Sequence, residues 1–99
     1  MNRYELNYLN ATVLKATMEL LDKRINQAIE YENRITEVEA LMVEYETTIM
    51  FDDTLIYTKL LRRADNRHRH YSYIYNNLIA EIKSLTRAIE GLKVADAEL

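Results

Sequence analysis

The chain has no proline, no cysteine and no tryptophan, and its only glycine is Gly91. Proline and glycine form the tight turns that strands and their crossovers need, and an average protein contains about 5% and 7% of them. Their scarcity argues against a turn-rich β-fold and excludes a glycine-rich phosphate loop. The absence of cysteine excludes disulfides, thiolate nucleophiles and sulfur-ligated metal sites. The composition therefore predicts few turns and long helices.

Several functional classes are also poorly matched. No run approaches the roughly 18–20 consecutive apolar residues of a membrane span, and no basic-then-apolar leader opens the chain. No nucleophile stands in a pattern with a base and an orienting group, and no Glu-x-x-His pair of a di-iron bundle is present. His68 and His70 diverge by about 200° on a helix, so they cannot share a metal ion there. We expect a cytoplasmic protein that is not an enzyme and binds no cofactor, metal or membrane.

Apolar residues mark one stripe of a long helix in the second half of the chain. The steps between them alternate between four and three residues, the heptad spacing that keeps side chains against a partner helix. The stripe consists of Tyr71, Tyr75, Leu78, Ile82, Leu85, Ile89 and Leu92.

A second stripe of the same kind runs through the first half. Glu32 stands where one apolar member is expected, and we predict that it forms a buried polar pair near Arg67, His68 and Tyr71. Further apolar residues widen the face beyond what a two-stranded seam needs, which predicts association. The second stripe consists of Leu14, Met18, Leu21, Ile25, Ala28, Ile35, Val38, Met42, Tyr45 and Ile49.

The best break between the two stripes is Asp52-Asp53-Thr54. Side-chain oxygens at these positions can accept hydrogen bonds from the free amides of a helix start, and the carboxylates suit its positive end. Gly91 is expected to end the second helix as a left-handed cap. Two other potential helix starts, at Asn7, Asn10 and Thr12 and at Asp65-Asn66, leave a third helix open.

The predicted domain organisation is a single helical domain over residues 1–99. Its first helix runs over about 5–49, a turn occupies about 50–53, and its second helix runs over about 54–90, before a short C-terminal tail.

Two independent patterns predict that the helices form an antiparallel hairpin. Folding the chain at Asp52-Asp53 superimposes the stripes, with the numbers of facing residues adding to about 105. The segment 30–46 carries six glutamates and one arginine, and the segment 59–70 carries five lysines and arginines and one aspartate, so an acidic block would face a basic block. The predicted fold class is therefore an all-α, coiled-coil-like hairpin. Its wide apolar face predicts pairing into a four-helix homodimer.

The segment from Arg62 to Tyr75 is basic and rich in tyrosine, and it has two interpretations. Its cations can pair with the facing glutamates and fix the register of the hairpin. Alternatively, its cations bind phosphates and its tyrosines stack on bases of a nucleic acid. The residues predicted to contact a partner here are Arg62, Arg63, Arg67, Arg69 and Tyr73.

Asp52 and Asp53 at the hairpin tip are predicted to cap the second helix and are candidate partner-binding residues. A coiled-coil hairpin with an acidic tip resembles the finger of transcript-cleavage factors, which implies a regulator that reaches the active centre of RNA polymerase. The resemblance covers gross shape and two aspartates, without the second globular domain or the longer acidic signature. Prefoldin-type hairpins are similar in outline, and ESAT-6-like hairpins are similar in length but carry a Trp-x-Gly turn that is absent here.

The sequence as a whole predicts a protein-protein interaction module that acts as a small adaptor, regulator or inhibitor of a protein partner. Small helical chains that lack cysteine and are rich in asparagine and tyrosine are common among phage and viral accessory factors. Nucleic-acid binding through 62–75 and polymerase regulation through the tip are the alternative functions.

Overall fold

The computed structural model describes residues 2–52 and 54–98, and it describes side chains as far as residue 95. Two long helices account for almost all of these residues: α1, Arg3–Phe51, and α2, Leu55–Glu98. The predicted all-α helical hairpin is confirmed. Neither predicted start of a third helix interrupts the described chain, because α1 continues through Asn7 and Asn10 and α2 continues through Asp65.

The start of α1 has a cap that the sequence analysis missed. The backbone amide of Glu5 donates a hydrogen bond of 2.8 Å to the side-chain oxygen of Asn2, which satisfies one of the free amides of the first turn. The signal was present as Asn-x-x-Glu, the spacing of a capping box. The helix therefore begins at Arg3, two residues before the predicted boundary.

The break between the helices lies where the aspartates predicted it. The amide of Asp52 donates to the carbonyl of Thr48 (2.7 Å), and the amide of Thr54 donates to the carbonyl of Asp52 (2.8 Å). Thr54 occupies the cap position of α2, yet its hydroxyl oxygen is buried and makes no hydrogen bond among the described residues. Asp53, the other predicted cap, lies outside the described residues.

The prediction that Gly91 ends α2 is wrong. The helix continues through Gly91 to Glu98, and no described residue has the positive φ that a left-handed cap requires. A glycine inside a helix costs about 1 kcal/mol relative to alanine, which is less than neighbouring packing supplies. Here Ile89 is buried and Leu92 is half-buried, on either side of the glycine.

The described residues divide into two compact units. The central unit is Ala28–Asn77, and the terminal unit comprises the described parts of Met1–Gln27 and Leu78–Leu99. Each unit contains a segment of both helices.

In the central unit, both helices contribute an unbroken seam of buried or half-buried residues. Small side chains lie deepest, with Ala28, Val38 and Ala64 buried, so the helices approach each other closely at these positions. On α2 the heptad stripe begins earlier than predicted, because the half-buried Tyr57, Leu61 and His68 keep the same spacing. On α1 the half-buried seam residues are Tyr31, Ile35, Met42, Tyr45 and Ile49.

In the terminal unit, the α2 side of the seam is aliphatic and the α1 side is partly polar. Ile89 is buried, and Leu78, Ile82, Leu85 and Leu92 are half-buried. The half-buried residues of α1 at heptad spacing are Asn7, Asn10, Leu14, Thr17, Leu21 and Arg24.

The prediction that Met18 and Ile25 belong to a core or oligomer seam is wrong for the seam between α1 and α2 and stays a prediction for an oligomer seam. They are 46% and 38% exposed, and Thr17 and Arg24 take the inner positions instead. Because α1 is one continuous helix, a single heptad phase applies along it, and the dense apolar positions from Ile35 to Ile49 set that phase. The predicted stripe and the observed seam share Leu14, Leu21, Ala28 and Ile35, and they differ by one residue at each position between these.

Among the described residues, neither helix contains a stretch that is both long enough and apolar enough to cross a membrane.

Candidate interaction surfaces

An ion pair across the two helices fixes the register of the terminal unit. Nε of Arg24 lies 2.8 Å from Oε1 of Glu81, and Nη1 of Arg24 donates to Gln27 on its own helix at 2.8 Å. The pair confirms the predicted register, in which position 24 faces position 81. Both side chains are partly exposed, so the pair contributes at most about 1 kcal/mol and acts mainly on alignment.

A layer of aromatic and cationic side chains fixes the register of the central unit. The rings of Tyr31 and Tyr71 meet edge to face with their centroids 5.9 Å apart. The guanidinium carbon of Arg34 lies 4.8 Å from the Tyr31 centroid and 5.8 Å from the Tyr71 centroid. Cation–π contacts of this kind contribute about 0.5–2 kcal/mol, the more so where water is excluded. Arg34 also pairs with Glu30 along α1.

Glu32 takes no part in this layer. The predicted buried polar pair is wrong, because Glu32 is exposed and the charged side chain beside Tyr71 is that of Arg34, which is itself 43% exposed. A different polar pair joins the two helices of the central unit, with Nε2 of His68 lying 3.0 Å from Oε1 of Glu39. His68 stands at a seam position of α2, whereas Glu39 is exposed at the edge of α1.

The arginines of the basic segment 59–70 do not pair with the glutamates of α1 among the described side chains. Among the described side chains, no ion pair within 4 Å joins Arg62, Arg63 or Arg67 to α1. Arg69 pairs at 3.0 Å with Asp65 on its own helix and keeps 76% of its side chain exposed. The prediction that these arginines set the register is therefore wrong, and His68 supplies the contact from this segment.

The cations instead line the outside of α2. Positions separated by three, four or seven residues from Lys59 onward fall on the side of the helix opposite the seam, and every one of them is exposed. We call this set the outer stripe. It contains no carboxylate and consists of Lys59, Arg62, Arg63, Asn66, Arg69, His70, Tyr73, Asn76 and Asn77. Arg67 is exposed beside it.

The outside of α1 in the same unit carries the opposite charge. All six glutamates of the acidic block are exposed, and one row of them recurs every seven residues as Glu30, Glu37 and Glu44. This row is thus separate from the cations of α2, whereas Glu39 pairs with His68 and Glu46 borders a surface depression together with Arg62. The two histidines also separate, with His68 in the seam and His70 on the outer stripe, and no group of three potential metal ligands occurs among the described residues.

The hairpin tip is mainly apolar. Asp52 is exposed, and it is surrounded in sequence by large apolar residues that are also exposed, with Phe51 reaching 86%. We define the tip as the described residues Met50, Phe51, Asp52, Leu55 and Ile56. The predicted acidic character therefore rests, within the described chain, on one carboxylate.

The terminal unit has a further apolar surface beside its seam. Four residues recur at intervals of seven along α1, and all four are exposed; we call them the terminal flank: Tyr4, Ala11, Met18 and Ile25. On the other side of the seam, Leu6 and Val13 are exposed at the same spacing. A surface depression lined by Tyr4, Glu5, Tyr8 and Leu9 lies at the start of the helix.

Comparison with protein-family models, with curated proteins and with solved structures finds no match for this chain.

Proposed function

We propose that the protein is a non-enzymatic protein-binding module that acts as a homodimer. The observation that carries the proposal is the terminal unit, where Met18 and Ile25 lie exposed while polar Thr17 and Arg24 occupy the seam. Apolar surface left outside a seam and bordered by polar residues is typical of a protein interface. The cysteine-free composition is compatible with action in the cytoplasm, which is part of this proposal.

The occupant of the terminal flank is a second copy of the chain. The flank repeats every seven residues, the spacing that lets one helix pack continuously along another. A two-fold axis would bring the same flank from both copies together, so that each hairpin covers the other and four helices share one core.

The tip is the surface offered to a different protein. Phe51 supplies an aromatic anchor, and Met50, Leu55 and Ile56 supply further exposed apolar area. Interfaces concentrate binding energy in a few side chains of this kind. In this arrangement the protein works as an adaptor, regulator or inhibitor, with dimer contacts and partner contacts on separate units.

Sedimentation equilibrium of the purified chain tests the dimer. The wild type is expected to sediment as a dimer, and Met18→Lys with Ile25→Lys is expected to sediment as a monomer, because two charges would be buried at the interface. Leu6→Lys with Val13→Lys is the matched control, since it makes the same charge change at the same spacing on the opposite flank.

A monomeric wild type would contradict the homodimer. If both pairs of lysine substitutions weakened dimerisation equally, the assignment of the dimer interface to the terminal flank would be contradicted. Circular dichroism of each variant shows whether the helices persist, so that unfolding is distinguished from loss of association.

Affinity capture from nuclease-treated host lysate tests the tip. The wild type is expected to retain a protein at stoichiometric amounts, and Phe51→Ser with Leu55→Ser is expected to lose it while remaining a dimer. Asp52→Asn serves as the comparison variant, because it removes the charge and leaves the apolar residues in place. If Asp52→Asn alone abolished capture and the retained protein were RNA polymerase, the acidic-tip alternative would replace this proposal.

A further inference from the structure

The outer stripe carries a high density of cations on one helix surface. Lys59, Arg62, Arg63 and Arg69 lie within eleven positions of one another, all exposed, with no carboxylate among the stripe residues. Arg69 pairs with Asp65, but this exposed pair is weak enough to exchange for a phosphate. Such an array attracts a polyanion, because each phosphate contact releases condensed counterions.

The stripe also has the shape of a helix face that fits a groove. With about 100° between successive residues, its nine members fall within an arc of about 140° centred opposite the seam. α1 lies on the seam side and leaves the stripe residues exposed, although Arg62 borders a surface depression that it shares with Met42 and Glu46 of α1. The major groove of B-form DNA is about 12 Å wide and admits a single α-helix presented in this way.

The arginines and asparagines of the stripe are suited to reading bases. Arginine pairs with the guanine edge and asparagine with the adenine edge in the major groove. Asn66 lies between the arginines, and Tyr73 and Asn77 extend the same face by two further turns. We propose that the outer stripe binds double-stranded DNA, with α2 lying in the major groove, the flanking cations on the phosphates and the asparagines towards the base edges.

The acidic side of the central unit does not prevent this binding. The row Glu30, Glu37 and Glu44 lies on the outer side of α1, whereas Glu39 pairs with His68 and Glu46 borders the same surface depression as Arg62. At physiological ionic strength the screening length is about 8 Å, so carboxylates beyond one helix diameter repel the phosphates only weakly. The net charge of −3 for the whole chain is thus compatible with a locally cationic binding face.

Duplex DNA fits the stripe better than RNA does. The major groove of A-form RNA is deep and narrow, which excludes a helix, and single strands are bound chiefly by stacking on several aromatic rings. The stripe has two rings that could stack on bases, His70 and Tyr73, among seven residues without a ring.

Fluorescence anisotropy with a labelled DNA duplex of mixed sequence tests the proposal, with single-stranded DNA and duplex RNA as parallel probes, between about 50 and 200 mM NaCl. Arg62→Ala with Arg69→Ala is expected to weaken duplex binding by at least about tenfold. The salt slope, which is the change of the logarithm of the binding constant with the logarithm of the NaCl concentration, is expected to fall in magnitude by about two for each copy of the stripe that contacts the duplex. Lys15→Ala with Lys23→Ala, the same charge change at exposed positions of α1, is expected to leave both quantities unchanged.

A wild-type chain that fails to bind the duplex at the lowest salt would overturn the proposal. So would an arginine variant that binds as the lysine control does, or tighter binding of single-stranded DNA or duplex RNA than of duplex DNA. Selection of preferred duplexes by the wild type and by Asn66→Ala tests the groove assignment: the variant is expected to lose preference at an adenine without a change in salt slope, and unaltered preference would contradict it. All substituted residues are exposed, so circular dichroism is expected to be unchanged.

Discussion

The central unit and the terminal unit are built from the same two helices, yet their seams differ. In the central unit both helices supply apolar or aromatic residues, and Ala28, Val38 and Ala64 are buried. In the terminal unit α2 remains aliphatic while α1 supplies Thr17 and Arg24, and Ile89 is the buried residue among those described.

The difference shows that the heptad phase of a long helix is set where apolar residues are dense and is then imposed elsewhere. Once Ile35 to Ile49 point inward, Thr17 and Arg24 must do so as well, and Met18 and Ile25 are turned out. The seam of the central unit is therefore apolar or aromatic on both helices, and the terminal unit has apolar surface left outside its seam.

The largest expected effect on stability comes from placing a charge at a buried valine of α1, compared with the same substitution at an exposed valine. Val38→Asp places a carboxylate at a position that is 6% exposed in the central unit, and we expect a loss of about 3 kcal/mol or more in unfolding free energy. Val43→Asp, at a position that is 62% exposed, is expected to change stability by less than about 0.5 kcal/mol. Urea unfolding followed by circular dichroism measures both, and equal losses would mean that the central seam is wrongly phased.

A gain in stability is expected where the terminal seam is polar. The side-chain oxygen of Asn7 is buried and has no hydrogen-bond partner among the described residues. Replacing it in Asn7→Leu removes the cost of an unsatisfied acceptor and adds apolar contact, so we expect a gain of about 1–2 kcal/mol.

Asn33→Leu is the control for this change, because Asn33 is an exposed asparagine of the same helix. Thermal melts of the two variants should differ, with only Asn7→Leu melting higher. If neither variant gained stability, the polar residues would not limit the terminal unit.

The smallest expected effect concerns Gly91. A Cβ built at this position meets nothing within 4 Å, and the residue is inside α2. Gly91→Ala should therefore stabilise the terminal unit by about 0.5–1 kcal/mol, through helix propensity and reduced freedom of the unfolded chain. A lower melting temperature of the variant would instead support the predicted left-handed cap at Gly91, since alanine is strained at positive φ.

The α2 stripe, the hairpin register and the break at Asp52 could be predicted because each rests on an unambiguous pattern. The phase of α1 near its N-terminus could not, since both alternatives share Leu14, Leu21 and Ala28 and differ only in the residues between them. Helix continuation past Gly91 depends on the packing of Ile89, which no local signal reveals.

The candidate surfaces were predicted less well than the fold. The basic residues were identified from the sequence, but the side of α2 on which they lie depends on the heptad phase of α2 between 57 and 68. That phase was available from Tyr57, Leu61 and Ala64, which continue the predicted stripe backward. The apolar tip was not predicted, because the aspartates alone defined the expected tip and the apolar residues beside them were not considered. The exposure of Met18 and Ile25 could be known only once the heptad phase of α1 was known.

Hydrogen–deuterium exchange, measured over a range of protein concentrations, tests most directly whether a second copy covers the terminal unit and leaves the central unit unchanged. We expect protection of amides in 3–27 and 78–95 to rise with protein concentration, because association covers the terminal flank. Protection in 28–51 and 55–77 should stay constant once the hairpin is folded. Concentration-independent protection in both units, or a rise confined to the central unit, would contradict the account.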